Sequence, residues 1–341
     1  MSVVFLVLGI TILCGGIIDF IWTTLWPNGS GGFVTSRLTN GLWKTVRVLS
    51  RGRKEIMSLA GPVIIVGTLL FWILSMWTGW LLIFASDMTA FADTADNEPI
   101  SWSERIYYTG YLLFTLGNGD YSPKEGIWQF LSVTAAASGL IFITIGVTYV
   151  LSVLGALTQK RALAKSISGL ATSPSELVRN AWNGNDFHDV DLLLNSFSSQ
   201  LNIITAQHNA YPVLHFYFSD QDQESLPLSI AILDETLTML SFGIQKEYRP
   251  NKLLLKSARS SVESYLNIQK NAYTSPADEA PPLPDLAELR EQGLPVLPTA
   301  QILESFNALE NRRKSLLGAV RENERQWPGG EYSKPNNCLS Q

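Results

Sequence analysis

From about Leu59 to Ala85, and again from about Ile127 to Leu157, the chain carries no charged residue. About twenty apolar residues suffice to cross a bilayer, so both stretches can do so. The second is longer than a bilayer needs, which predicts a tilted helix that runs on as a polar helix through Ser168. A third stretch, Ser2 to about Trp26, is equally apolar but holds one carboxylate, Asp19. It lacks the basic start of a signal peptide, and no small-x-small cleavage site follows it, so it reads as a retained span. The expected fold class is therefore an all-α membrane protein. Over 341 residues the hydrophobic share is 46% and the charged share 16%, averages that hide a sharp split. Residues 161–341 read as an ordinary soluble chain. The net charge of −5 gives no basis for a nucleic-acid partner. Cys14 and Cys338 sit at opposite ends and make neither a disulfide framework nor a metal spacing.

Basic residues set the expected orientation. Arg37, Lys44, Arg47, Arg51, Arg53 and Lys54 lie between the first two spans, and Lys160, Arg161 and Lys165 follow the third. The loop after the second span holds Asp87, Asp93, Asp96 and Glu98 before its first cation, Arg105. The positive-inside rule then puts both basic segments in the cytoplasm and the acidic loop outside. This predicts a cell-membrane protein of three spans, with its amino terminus outside and its carboxyl-terminal domain cytoplasmic. Asn28-Gly29-Ser30 matches a glycosylation acceptor, but this topology places it on the cytoplasmic side. Residues 27–58 form a basic connector in which Leu38, Leu42, Trp43, Val46 and Leu49 recur at helical spacing. Such a helix fits the inner membrane surface or a packed connector equally well.

Between the two uncharged runs, residues 102–114 are aromatic and amphipathic but too short to cross a bilayer. Ser101 or Ser103 can cap a helix there, and Glu104 suits its first turn. A re-entrant helix so placed aims its partially negative carboxyl end at the membrane centre, which suits a cation. Thr115-Leu116-Gly117-Asn118-Gly119-Asp120 follows. In a soluble chain Asn-Gly and Gly-Asp would mark a turn. Between spans, alternating glycines let successive carbonyls point the same way, and a ring of carbonyls can replace the water around a cation. The segment resembles the selectivity filter of potassium-channel-type pores, Thr-Val-Gly-Tyr-Gly-Asp. The resemblance covers roughly residues 59–157.

That resemblance implies a two-helix-plus-pore-loop tetrameric cation channel. Its outer helix is 59–85, its pore helix 102–114, its filter 115–120 and its inner helix 127–157. The span at 1–26 is an extra amino-terminal transmembrane helix, and 158–274 an α-helical cytoplasmic domain. The implied ion ligands are the carbonyls of Thr115, Leu116, Gly117 and Asn118 with the Thr115 hydroxyl, and Gly119 completes the filter. Asp120 stands where the family's acidic residue bonds back to the pore helix, with Tyr111 placed as its partner. Tyr107 and Tyr108 occupy the positions of an aromatic cuff, and Pro123 that of the exit-turn proline. Gly139 falls at the gating-hinge position, although Gly146 and Gly155 compete and membrane glycines also serve close packing. A single pore loop per chain implies a homotetramer. Asn118 replaces the family's aromatic and Phe114 a hydroxyl residue, which implies a channel that prefers K+ or discriminates only weakly against Na+. No cofactor is expected beyond permeant K+ or Na+, and membrane lipid is the expected surrounding.

The rest of the chain shows helical patterns at about 173–183, 187–208, 226–245, 252–272 and 299–325, several opened by caps such as Ser173-Pro174. The proline-rich stretch 275–298 reads as a linker, and 299–341 as a carboxyl-terminal helix and tail. No Gly-x-Gly-x-x-Gly and no alternating β pattern announces a nucleotide domain, so the cytoplasmic regulatory ligand stays unknown. Enzyme signatures are absent too: His188-Asp189 and Asp191 lack the distant ligands of a metal site. The runner-up reading is a non-conducting, membrane-anchored signalling or scaffold protein with a channel-like fold.

Overall fold

A computed structural model describes residues 2–26, 31–50, 53–95, 100–272, 274–284 and 286–329. Arg51, Asp96, Glu98, Cys338 and the Asn28 acceptor lie outside the described residues. The protein is a mostly helical membrane protein that divides into two units. Residues 1–155 group with 209–217, and residues 156–208 with 218–341.

The first unit opens with helix α1 (Val3–Leu25), followed by α2 (Phe33–Ser50), the short α3 (Lys54–Ser58) and α4 (Ala60–Ala85). Helices α1 and α4 lie antiparallel: Ser2 bonds to Ser86, Gly9 rests on Gly79 and Ile83, Gly16 on Ser75, and Asp19 meets Trp72. Small residues at the seam let the two backbones approach, the usual means by which apolar helices associate where water offers no drive. After α4 come strand β1 (Phe91–Asp93), helix α5 (Trp102–Leu113), strand β2 (Tyr121–Pro123) and the long α6 (Ile127–Ser168). The core between them holds Trp72, Trp80, Phe84, Phe91, Tyr108, Trp128 and Phe142.

Asp19, the one carboxylate of α1, is buried and fully engaged. It accepts from the N–H groups of Val34 (2.9 Å) and Thr35 (3.2 Å), from the Thr35 hydroxyl and from the Trp72 indole (3.0 Å). It therefore caps the start of α2, where unpaired N–H groups favour negative charge. The middle of the apolar face of α2 is turned inward at Trp43. Leu42 packs at Gly67, and the Trp43 ring lies 5.6 Å from that of Phe216. Leu38 and Val46 on that side are half-buried, and Leu49 at its far end is exposed. Residues 209–217, expected in the cytoplasmic domain, belong to this unit, with Tyr217 against Gly61 and Tyr211 against Tyr149.

In the second unit the end of α6 is joined by α7 (Pro174–Ala181), α8 (Asp191–Ala210), α9 (Leu226–Thr238), α10 (Lys252–Ala272), α11 (Ala287–Glu291), α12 (Thr299–Ala308) and α13 (Glu310–Glu322). Ser173 caps α7 by accepting from the Glu176 N–H, with Pro174 in the first turn. At the centre is α9, buried on nearly every side. Among the described residues, four helices are long and apolar enough to cross a membrane, and α9 with its continuation to Gly243 is the fourth. It nevertheless carries Asp234 and Glu235, each gripped in two-point fashion by Arg312 and Arg313. Buried along nearly its whole length, with both carboxylates paired, it is a core helix of this unit.

The stretch 275–298 departs from the spacer expected of it. Leu286, Leu289 and Leu294 enter the core, Ala277 bonds to Lys314, Gln245 to Pro295, and Ile244 bridges Val296. Its prolines forbid a long helix, yet an extended chain can still bury leucines and offer carbonyls. The pattern at 299–325 is also interrupted, with α12 ending at Leu309 and α13 starting anew.

Candidate functional site

Helix α5 begins with a full capping box. The Ser101 hydroxyl accepts from the Glu104 N–H at 3.4 Å, and the Glu104 carboxylate accepts from the Ser101 N–H at 2.6 Å. Arg105, one turn on, is completely buried. Its guanidinium donates to the carbonyls of Phe84 (2.8 Å), Met88 (2.9 Å) and Asp87 (3.3 Å), which close the carboxyl end of α4. A cation among terminal carbonyls is the favourable sense of the helix dipole. Arg105 thus ties the start of α5 to the end of α4. The sequence shows it only as the first cation after an acidic loop. Beside it, the Asp87 carboxyl is held below its ordinary value, first by the Thr89 N–H at 3.0 Å and then by the Thr89 hydroxyl.

The other end of α5 sits on α6. A methyl group at Gly139 would lie 2.1 Å from the Leu113 carbonyl oxygen, so only glycine lets the two backbones meet there. Close approach accounts for this glycine, and α6 runs through it unbroken. Trp80 of α4 donates to Ser138 beside it at 3.0 Å.

Past α5 the backbone alternates. Thr115, Gly117 and Gly119 have φ of 55°, 66° and 81°. Positive φ is free for glycine and strained for threonine. Residues 114–120 are exposed on the single chain. Among the described residues, no donor reaches the carbonyls of Thr115, Leu116, Gly117 or Asn118. The Gly119 and Asp120 carbonyls, by contrast, accept from the Thr94 hydroxyl at 3.2 and 2.9 Å, and Asp120 also from the Thr94 N–H at 3.0 Å. This clamp extends a short antiparallel pairing of β1 with β2, Phe91 opposite Pro123 and Asp93 opposite Tyr121. Thr94 carries no sequence signal of that role, because its partner is 26 residues away.

The three tyrosines take three different partners. Tyr107 accepts a hydrogen bond from the Asn118 amide. Tyr108 is buried between Phe91 (4.1 Å between ring centres) and Tyr111, with its hydroxyl 3.1 Å from that of Ser132 on α6. Tyr111 donates to the Tyr121 carbonyl at 3.0 Å, not to the Asp120 carboxylate that the resemblance offered it. Tyr107 and Tyr111 therefore bond into the 115–123 segment, Tyr108 meets it edge-on at the Tyr121 ring (6.5 Å between centres), and Tyr107 reaches the residue that departs from the family pattern.

Residues 63–156 match the family described as ion channel, of the two-helix, potassium-channel type. Over 332 residues the chain is 45% identical to the uncharacterized membrane protein YdjJ of Bacillus subtilis (strain 168), with 97% of each chain covered. The chain belongs to the YdjJ family and carries an ion channel domain. That domain runs from α4 through α5 to α6, and so contains every residue of the site just described. The helix α1 before it and the helical unit after it lie outside the matched segment, whereas the likeness to YdjJ covers 97% of the chain. No solved structure matches the chain.

Proposed function

We propose that the protein conducts monovalent cations as a fourfold homotetramer, with the carbonyls of Thr115, Leu116, Gly117 and Asn118 as ion ligands. The observation that carries this reading is the alternating backbone at Thr115, Gly117 and Gly119, set at the carboxyl end of a capped, membrane-length-deficient helix. Four carbonyls left without internal donors are available to a cation, whereas those of Gly119 and Asp120 are held by Thr94. Exposed polar backbone within a membrane is tolerated only where it lines water or protein, which a ring of four copies would supply. In this reading α1, α4 and α6 are the three spans, the amino terminus is outside, the helical unit is cytoplasmic, and α9 is its core. Bending of α6 at Gly139 would carry the end of α5 with it, because the Leu113 backbone rests there.

The Asn118–Tyr107 pair bears on selectivity. The Asn118 amide is held to the filter wall by a hydrogen bond to Tyr107 and brings no aromatic ring of its own to that position. The expected outcome is a K+ preference weaker than in pores with an aromatic at this position. Protein reconstituted in planar bilayers with K+ on one side and Na+ on the other tests this. Asn118→Tyr should shift the reversal potential toward that of K+. A reversal potential indifferent to the change removes Asn118 from the account, and a membrane silent in every variant favours a scaffold.

A further inference from the structure

The extra helix α1 ends in an arrangement that fixes the depth of α2. Thr35 stands level with Trp72, since Asp19 holds both. From Trp72 to the outer end of α4 at Ala85 is ~20 Å at ~1.5 Å per residue. A hydrocarbon core of ~30 Å then leaves ~10 Å below Thr35. Helix α2 therefore starts inside the inner leaflet and emerges through its headgroups.

Its outward stripe has the composition of that boundary. Phe33, Arg37, Asn40, Lys44, Arg47 and Val48 recur at three- and four-residue intervals, and all are exposed. Thr35, Thr39, Trp43 and Ser50 form the opposite, buried side. Phe33 is 73% and Val48 76% exposed, so apolar groups flank the cations at both ends. The Arg37 guanidinium lies 3.5 Å from the centre of the Phe33 ring, which orients it along the helix. No carboxylate occurs anywhere in α2. From Lys44 onward, ~13 Å past Thr35 at ~1.5 Å per residue, the stripe reaches headgroup depth, with Arg37 above it in the inner leaflet. Interleaved cations and apolar side chains there match an anionic lipid, whose phosphate meets the cations while its acyl chain covers the apolar groups.

We infer that the outward stripe of α2, centred on Lys44 and Arg47, is a binding surface for anionic phospholipid headgroups of the inner leaflet. The inference depends on the membrane setting of α1 and α4 and not on conduction, so its test reads binding alone. Full-length protein in neutral detergent is titrated with phosphatidylglycerol or phosphatidylcholine, and the rise of the thermal midpoint is followed. Phosphatidylglycerol should stabilise the wild type at lower concentration than phosphatidylcholine, and less so in high salt. Arg37→Gln, Lys44→Gln and Arg47→Gln together should weaken the apparent affinity for phosphatidylglycerol at least about twenty-five-fold, about fivefold for each of Lys44 and Arg47. Arg37→Lys with Arg47→Lys keeps the charge and should keep the response, as should Lys252→Gln with Lys256→Gln on exposed α10. Equal responses to the two lipids in the wild type overturn the inference. So does a triple variant that retains the preference. A triple variant that loses its oligomeric state while the wild type shows no lipid preference instead assigns the stripe to a neighbouring copy, and also overturns it.

Discussion

Charge is handled differently in the two units. In the channel unit Asp19 and Arg105 are buried side chains neutralised by backbone: Asp19 by the first N–H groups of α2, Arg105 by the last carbonyls of α4. In the helical unit buried charges meet side chain to side chain, Asp234 with Arg312 and Glu235 with Arg313. A helix end offers about half a unit charge without adding a second ionisable group. That suits an apolar setting where every further charge is expensive. It also pins a specific helix terminus, so these two residues set where α2 starts and how α5 hangs from α4. The paired charges of the helical unit instead fix one helix against another, and each partner answers to the other.

Removal of single partners breaks or sharpens that contrast. Arg313→Met leaves Glu235 buried without its partner, and should cost about 3–5 kcal/mol of stability. Adding Glu235→Leu should restore most of it, which a thermal-melt comparison of single and double variants checks. Arg105→Met should cost at least about 3 kcal/mol, because three carbonyls lose a charged donor. No second substitution can rescue it, since the partners are backbone; a rescuing side-chain change would refute the contrast. Asp19→Asn should cost about 1–2 kcal/mol, as the amide keeps an acceptor for the α2 N–H groups but turns donors toward the Trp72 indole. Trp72→Phe in that background should be less harmful than in the wild type.

The smallest effect concerns pH. The Glu224 carboxyl is held below its ordinary value, first by Lys165 at 2.7 Å and further by the Ser219 hydroxyl and Arg161. Its folded pKa is depressed, so its stabilisation is present above the ordinary carboxylate range and lost as pH falls through the folded value. Glu224→Gln should therefore lower the melting midpoint slightly at neutral pH, and the gap from wild type should close in acid.

Much of this was legible in the sequence, and the reasons for the rest are physical. The uncharged runs announced α4 and α6, including the polar extension of α6 to Ser168, because apolar length needs no partner to be read. Ser101 or Ser103, with Glu104, announced the start of α5, since a helix cap is local, and the fold takes Ser101. Asp19, Thr94 and Arg105 revealed little, because their partners lie 15 to 53, 25 to 26 and 17 to 21 residues away. Tyr111 was matched to Asp120 by likeness, while the fold of the loop presents it with the Tyr121 carbonyl. The stretch 275–298 misled through composition, as proline content reports on helix and not on burial.

The central claim is that the backbone from Thr115 to Asn118 forms the ion path. Gly117 tests it most directly. Its φ is 66°, and a methyl group there would meet nothing within 4 Å in the single chain, so alanine perturbs the backbone without a clash. Cation efflux from K+-loaded liposomes should be rapid with the wild type and reduced to background with Gly117→Ala, at equal incorporation and unchanged melting midpoint. No efflux from the wild type, or equal efflux from both, would contradict the account.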